Sequence, residues 1–366
     1  MKSRSIITLF ITGLFVLSCG PDKNSRAPAE NADNLLLKNF RPVSLYKIPV
    51  TYVEKAMVPV IDMHSHDYAK TEEQVRQWIK NMDACGIEKS IILTQTSGPA
   101  FDSLYALYSK YPDRFELWCG FDYTDYDKPG YGPDAVKELE RCYKLGARGV
   151  GEEGDKGLGM YFNEPAKAPG MHFDDPRLKP LLEKCAELDM PVSIHVADPI
   201  WMYEKMDSAN DGLMNAQEWR IDMTQPGIIG FDALIETLEN AVRDNPKTTF
   251  VACHFANLNH DMKRLGDLFD KYPNLYADIS ARYAESAPIP RYMKTFYEKY
   301  QDRLVYGTDM GYDTSMYRIT FRVLESADEH FYEIGLFGYH WALNGFDLSE
   351  EVLRKLYHEN AARIIR

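Results

Sequence analysis

The sequence predicts an α/β protein, a (β/α)8 barrel of the TIM type, on three observations. Eight short apolar runs suit buried parallel strands, amphipathic helical patterns separate them, and no glycine-rich phosphate turn follows the first run. The runs lie at residues 60–63, 90–94, 115–121, 147–150, 191–196, 248–253, 274–279 and 303–306. Such alternation calls for parallel pairing with right-handed crossovers, and eight units favour a closed ring over an open doubly wound sheet. An open sheet would carry GxGxxG behind its first strand. Here the first run ends in histidines.

The helices have readable ends. Thr71 is a candidate N-cap with Gln74 three residues on; Val75, Trp78, Ile79 and Met82 share one face, and Gly86 closes the helix. The second crossover is shorter and stops at Pro112. Pro133 opens a helix carrying Val136, Leu139, Cys142 and Tyr143, Asp175 and Pro176 open one carrying Leu178, Leu181, Leu182 and Cys185, and Leu234, Ile235, Leu238 and Val242 run towards Pro246. Two connections exceed what a barrel needs, residues 154–175 after strand 4 and residues 199–230 after strand 5. Both should rise above the active-site face and set specificity.

With 366 residues, 45% of them hydrophobic, one catalytic domain over residues 46–366 is expected. A net charge of −13 and a pI near 5.2 argue against nucleic-acid partners, which need a positive footprint. Lys2 and Arg4 precede an apolar run from Ile6 to Leu17, too short for a membrane span and right for a secretory signal over residues 1–18. Val16-Leu17-Ser18-Cys19-Gly20 resembles the lipobox of bacterial lipoproteins, which makes Cys19 the expected lipidation site. Residues 19–45, polar and without period, are then a flexible tether, and the expected location is an extracytoplasmic membrane surface, periplasmic or outer-membrane. Cys85, Cys119, Cys142, Cys185 and Cys253 remain, an odd number with no CxxC. They read as buried thiols rather than a disulfide framework, with Cys253 closest to the chemistry.

The first run ends Ile61-Asp62-Met63-His64-Ser65-His66-Asp67. Residues two apart in a strand point the same way, so His64 and His66 can chelate one ion through ring nitrogens. In a chain with nine histidines the pair means little alone; its position gives it weight. The fifth run ends Ser193-Ile194-His195-Val196, the sixth Ala252-Cys253-His254, and Gly307-Thr308-Asp309 follows the eighth. Barrel topology brings all of these to one rim, where buried imidazoles and a carboxylate cost free energy unless paired or coordinated.

These motifs, with Tyr306-Gly307-Thr308-Asp309 and a final helix bearing Asn360-Ala361-Ala362-Arg363, resemble the amidohydrolase superfamily over residues 58–366, in particular its amidohydrolase-related branch of aminocarboxymuconate-semialdehyde decarboxylase-like enzymes. The resemblance implies that His64, His66 and His195 are metal ligands, that Asp309 is a ligand or general base, and that His254 contacts the reacting group. The implied ion is one divalent cation, Zn2+ first, with Mn2+ and Fe2+ as alternatives and a second ion left open. Such an ion lowers the pKa of a bound water from about 15.7 to about 7. Asp309 would then pass the water's proton to a leaving group, and His254 would stabilise an oxyanion. Strand 4 departs from the binuclear pattern: it has no lysine, only Gly149-Val150-Gly151-Glu152-Glu153. Glu152 is therefore read as a partner orienting a ligating histidine or as a substrate contact, and one ion is the working expectation.

Arg282 and Glu285, after Asp278 in strand seven, are placed to meet a charged substrate group or to pair with each other. Trp201, Tyr203, His172, Tyr161 and Phe162 lie in the long loops as an expected aromatic wall, with Trp201 the leading substrate contact. His260, His330, His340 and His358 fall outside the strand-end pattern. The expected activity is metal-dependent hydrolysis of a small-molecule amide, ester or lactone. The alternative is decarboxylation of an unsaturated or aromatic acid on the same ion. A binding protein without chemistry is the third reading, and the complete ligand set weighs against it.

Overall fold

Eight parallel strands form in the regions of the apolar runs: β1 (Val60–Ser65), β2 (Ile87–Leu93), β3 (Phe115–Trp118), β4 (Val150–Asp155), β5 (Val192–Val196), β6 (Phe250–Ala252), β7 (Leu275–Asp278) and β8 (Leu304–Val305). The helices that cover them are α1 (Glu72–Cys85), α2 (Gly98–Tyr108), α3 (Tyr131–Leu145), α4 (Lys179–Glu187), α5 (Phe231–Asp244), α6 (Met262–Lys271), α7 (Pro290–Lys299) and α8 (Thr314–Glu325). This computed structural model describes residues 31–365, so the predicted signal and Cys19 lie outside the described residues. The chain divides into two units, Met1–Phe40 and Arg41–Arg366. The described part of the first holds one 3-10 turn, Leu37–Asn39; the second is the barrel. Among the described residues no helix is long and apolar enough to cross a membrane.

The strands pair in chain order as two parallel sheets, β1 to β3 and β4 to β8. Two short seams join them into a ring. Cys119, just past β3, pairs with Val150, and the Met63 N–H donates to the Tyr306 carbonyl at 2.9 Å. Asp62 reinforces the second seam by accepting from the Thr308 N–H and hydroxyl at 3.0 and 2.7 Å. Gly307 permits the approach, since a Cβ there would stand 2.7 Å from the His64 Cβ.

Strand alternation sorts the apolar residues into two cores. Ile61, Met63, Ile91, Leu93, Trp118, Val251 and Val305 cluster together, joined by Ala361 and Ile364 of the last helix. Val60, Ile92, Leu117, Val150, Val192, Ile194 and Phe250 belong to the second, larger cluster with the helices. Asn360 fixes the last helix by donating to the carbonyls of Gln301 and Leu304 at 2.7 and 2.8 Å. Helix α1 has the expected capping box at Thr71 and Gln74 and ends at Gly86 with φ 83°.

Strand bounds differ from expectation, β2 starting at Ile87 and β3 stopping at Trp118, and two of the shifts bear on the site. β4 starts at Val150 rather than 147, because Gly146 and Ala147 donate to the Cys142 carbonyl to finish α3, which moves Glu152 and Glu153 into the strand. β6 stops at Ala252, and Cys253–Asn257 turns sharply away. The long connections carry structure of their own: a hairpin of Gly159–Met160 with Ala168–Pro169, and a short helix Leu213–Trp219. Residues 326–348, a third long segment that the strand-helix reading does not foresee, carry the short helix Ile334–Phe337.

Candidate active site

Five strand ends turn through left-handed backbone at residues other than glycine: Gln95 after β2, Ala197 after β5, His254 to Asn257 after β6, Ala281 after β7 and Asp309 after β8. Each such residue costs about 1–2 kcal/mol, so the rim stores strain that the surrounding hydrogen bonds must hold. The His254 N–H donates to Asp278 at 3.0 Å, and the Asn257 amide donates to the carbonyls of Val196 and Ala197 at 2.9 and 3.1 Å. The register of β1 against β2 also slips between Asp62 and Ser65, an irregularity that re-aims side chains at a barrel rim.

These turns bring His64, His66, His195, His254, Glu152 and Asp309 together. The ligating atoms of His64, His66 and Asp309 lie within 4.8 Å of one another, as do those of Glu152, His195 and His254. Glu152 joins the two groups. One of its oxygens is 2.7 Å from His195 Nδ1, 3.4 Å from His254 Nε2 and 3.7 Å from His64 Nε2, and the other is 3.5 Å from His66 Nε2. It stands among the donors, and its 2.7 Å bond to His195 Nδ1 is also an orienting contact to a histidine of the kind read from sequence. Asp309 is 3.1 Å from His66 Nε2 and 3.5 Å from His64 Nε2. Cys253 also comes within 4.8 Å of His64 and Glu152, but burial pushes its thiol well up.

The outward nitrogens are tied down. His64 Nδ1 meets Asp278 at 3.0 Å, His66 Nδ1 donates to the Leu93 carbonyl at 2.8 Å, and His254 Nδ1 donates to the Ser280 carbonyl at 2.9 Å. Each Nε2 is thereby turned into the ring. His195 is reversed, with Nδ1 towards Glu152 and Nε2 3.3 Å from Asp198. His64 Nε2 is buried with no hydrogen-bond partner.

The ring's field favours positive charge. Burial alone would lower the His64 imidazole, but Asp278, Asp309 and Glu152 raise it to about 10. Burial likewise would raise Glu152, yet the imidazoles of His195 and His64 hold it well below the usual carboxylate range, and His64 and His66 do the same for Asp309. A divalent cation satisfies this field while leaving the imidazoles neutral, so the donor set fits one. His254 differs: burial and the nearby Arg282 lower it.

A cavity of about 390 Å3 opens from the ring, walled by Trp219, Phe337, Tyr339, Met202 and Met310, with Lys156, Arg282 and Glu285 among its polar groups. Trp201 lies elsewhere: its indole N–H turns to Asp211 and its ring neighbours Trp341. Trp219, the last residue of the short helix Leu213–Trp219, lines the cavity in its place, while Gly212 leaves room for Trp201, since a Cβ there would stand 2.7 Å from its side chain. Phe162 flanks His195 at 5.8 Å between ring centres, Tyr161 is 44% exposed, and His172 pairs with Asp155 at 2.6 Å. Sequence reading gave no role to Asp198, Asp278 or Asn257. Asp198 carries a weak signal, three residues past a candidate ligand; the other two act across strands and carry none. A further cavity of about 420 Å3 lies at the opposite rim, around Pro191, Lys247 and Arg363, away from these groups.

The family model described as amidohydrolase matches residues 81–366, which include His195, His254 and Asp309 and begin after His64 and His66. The chain belongs to the amidohydrolase family, and it is an enzyme of that family. Solved structures share the fold. An uncharacterised TIM-barrel protein of Bordetella bronchiseptica is 19% identical with a TM-score of 0.55, covering 84% of this chain and 98% of its own. A dihydroxybenzoic acid decarboxylase of Polaromonas, with bound manganese and the inhibitor 2-nitroresorcinol, is 16% identical with a TM-score of 0.53, covering 84% and 97%. A 5-carboxyvanillate decarboxylase of Novosphingobium aromaticivorans, complexed with manganese and 4-hydroxy-3-methoxy-5-nitrobenzoic acid, is 16% identical with a TM-score of 0.51, covering 87% and 99%. No curated protein matches the chain.

Proposed function

We propose that the chain is a metal-dependent carboxy-lyase that removes the carboxylate of a small aromatic or unsaturated acid. The cavity carries this reading: aromatic and methionine walls suit a planar acid, and Lys156 and Arg282 place two cations beside the donor ring. The decarboxylation named for the Polaromonas and Novosphingobium proteins supports it over the hydrolysis expected from sequence, and the manganese bound to both supports Mn2+ beside Zn2+.

His64, His66 and Asp309 would hold the ion, with His195 and Glu152 contributing from the adjoining group; Glu152, His195 and His254 form a second donor set that shares the same carboxylate. When bound, such an ion supplies Lewis acidity towards the substrate's oxygens. The chain's own groups do the rest. Lys156, 2.9 Å from Asp198, and Arg282, 3.6 Å from Glu285, offer N–H donors to an anionic acid, and the aromatic walls would fix its plane. His254, its Nδ1–H held by Ser280, keeps a lone pair on Nε2, placed to take a proton and return it to the carbon that loses the carboxylate. The test is product formation by manganese- and zinc-loaded protein on two panels, aromatic and unsaturated carboxylic acids in one, lactones and amides in the other. Carbon dioxide release from the first is expected. Turnover of the second alone would overturn the proposal.

We also propose that the mature chain is tethered through Cys19 to an extracytoplasmic membrane surface, a reading supported by the short apolar run and the lipobox-like residues around it.

A further inference from the structure

We infer that the cavity wall formed by Arg282 and Glu285 reads a neutral hydrogen-bonding substituent of the substrate, a hydroxyl or a primary amide, and refuses a second carboxylate. The inference rests on the acid-binding reading above and adds which acids.

Both residues are built into the wall rather than laid upon it. Glu285 is 6% exposed; its Oε1 accepts from the Tyr339 hydroxyl at 3.0 Å, while Oε2 is buried without a hydrogen-bond partner. Arg282 is 9% exposed and clamped on one side: Nε and Nη2 donate to Asn257 Oδ1 at 2.9 and 2.7 Å, and Nη1 donates to the Ala281 carbonyl at 3.0 Å. Asn257 is itself anchored to the end of β5. A guanidinium has five N–H groups, so these three bonds leave two, one of them on Nη1, which lies 3.6 Å from Glu285. Both residues line the cavity that also contains His254 and Asp309.

The wall therefore offers donors beside a lone acceptor. A hydroxyl or amide can accept from Arg282 and donate to Glu285 Oε2 at once. A second carboxylate would satisfy Arg282 but press an oxygen against Glu285, and a hydrogen or methyl would leave the remaining Arg282 N–H groups and Glu285 Oε2 desolvated and without a hydrogen bond. Sites that hydrogen-bond a substituent discriminate strongly against ligands lacking it. The 3.6 Å approach of Arg282 to Glu285 is the mutual pairing that the sequence reading held open beside a charged substrate group, and the inference puts a neutral substituent in that group's place.

The test is calorimetric titration of the manganese-loaded protein with benzoate, 3- and 4-hydroxybenzoate, 3- and 4-carbamoylbenzoate, isophthalate and terephthalate. At least one hydroxy or carbamoyl acid should bind tenfold or more tightly than benzoate, and its dicarboxylate counterpart no more tightly than benzoate. Glu285→Gln exchanges the lone acceptor for an amide and should reverse the order, with the dicarboxylate gaining tenfold and the hydroxy acid losing as much, at unchanged manganese content. Arg282→Lys, which keeps the charge but not the fork, should retain benzoate and lose the preference. Binding without discrimination, or a ranking unchanged in both variants, would overturn the inference alone. Failure of every acid to bind would overturn it together with the carboxy-lyase reading.

Discussion

At the donor ring, the outer nitrogen of each histidine decides what its inner nitrogen can do. Asp278, the Leu93 carbonyl and the Ser280 carbonyl fix His64, His66 and His254 in turn. Adjacent residues on one strand can have opposite roles: Glu152 faces the ring, while Glu153 accepts from the Phe121 N–H, the Tyr123 hydroxyl and the Asn163 amide. Burial raises the Glu153 carboxyl from its usual 4.5 to about 7, against the pull of those donors. A folded-state value above the unfolded one gives stability that is present below about pH 4.5 and lost as pH rises to about 7. At about 1.4 kcal/mol per pH unit, the window is worth roughly 3 kcal/mol. The stability of the wild type relative to Glu153→Gln should therefore fall between pH 5 and 7.5 in urea unfolding; a flat difference would contradict the assignment. At this scale His64, His66, His195, His254 and Asp309 were legible because strand ends in a barrel converge. Asp278 and Asn257 were not, since each acts on a residue from another strand.

At the scale of elements, the lengths and ends of strands were the least legible feature. The α3 cap consumes residues that look like strand, so β4 begins late and places its two glutamates inside the sheet. The left-handed turn after β6 has no glycine to announce it. Loop position, by contrast, was readable from length, and in the loop after β4 one buried carboxylate gathers three donors, beside the bonds that Glu164 makes with Gln95 and Ser97. Buried Asp155 accepts from the N–H groups of Gly157 and Gly159 at 2.8 and 3.0 Å and from His172 at 2.6 Å. Gly154 lets Phe162 fold back over the strand, since a Cβ there would meet its ring at 1.6 Å. Asp155→Ala leaves three donors unsatisfied and should cost about 3 kcal/mol. Faster limited proteolysis within residues 156–175, with metal content unchanged, is the expected result; equal protection would show that other contacts hold the loop.

At the scale of the molecule, alternating apolar runs and helices sufficed to read the barrel, because eight such units have few ways to bury their strands. Residues 326–348 escaped that logic, since they follow the last strand-helix unit, yet they supply Leu336, Phe337 and Tyr339 to the cavity. The proposed anchor makes its own prediction: labelled palmitate should enter the wild-type chain and not Cys19→Ala, and equal labelling would refute it. Whether the rim of this barrel holds a divalent ion is read by elemental analysis of the purified protein. Bound divalent metal is expected in the wild type and in Cys253→Ser, with its loss from His64→Ala at unchanged secondary structure. Equal metal content in all three, or none in the wild type after incubation with Mn2+ or Zn2+, would contradict it.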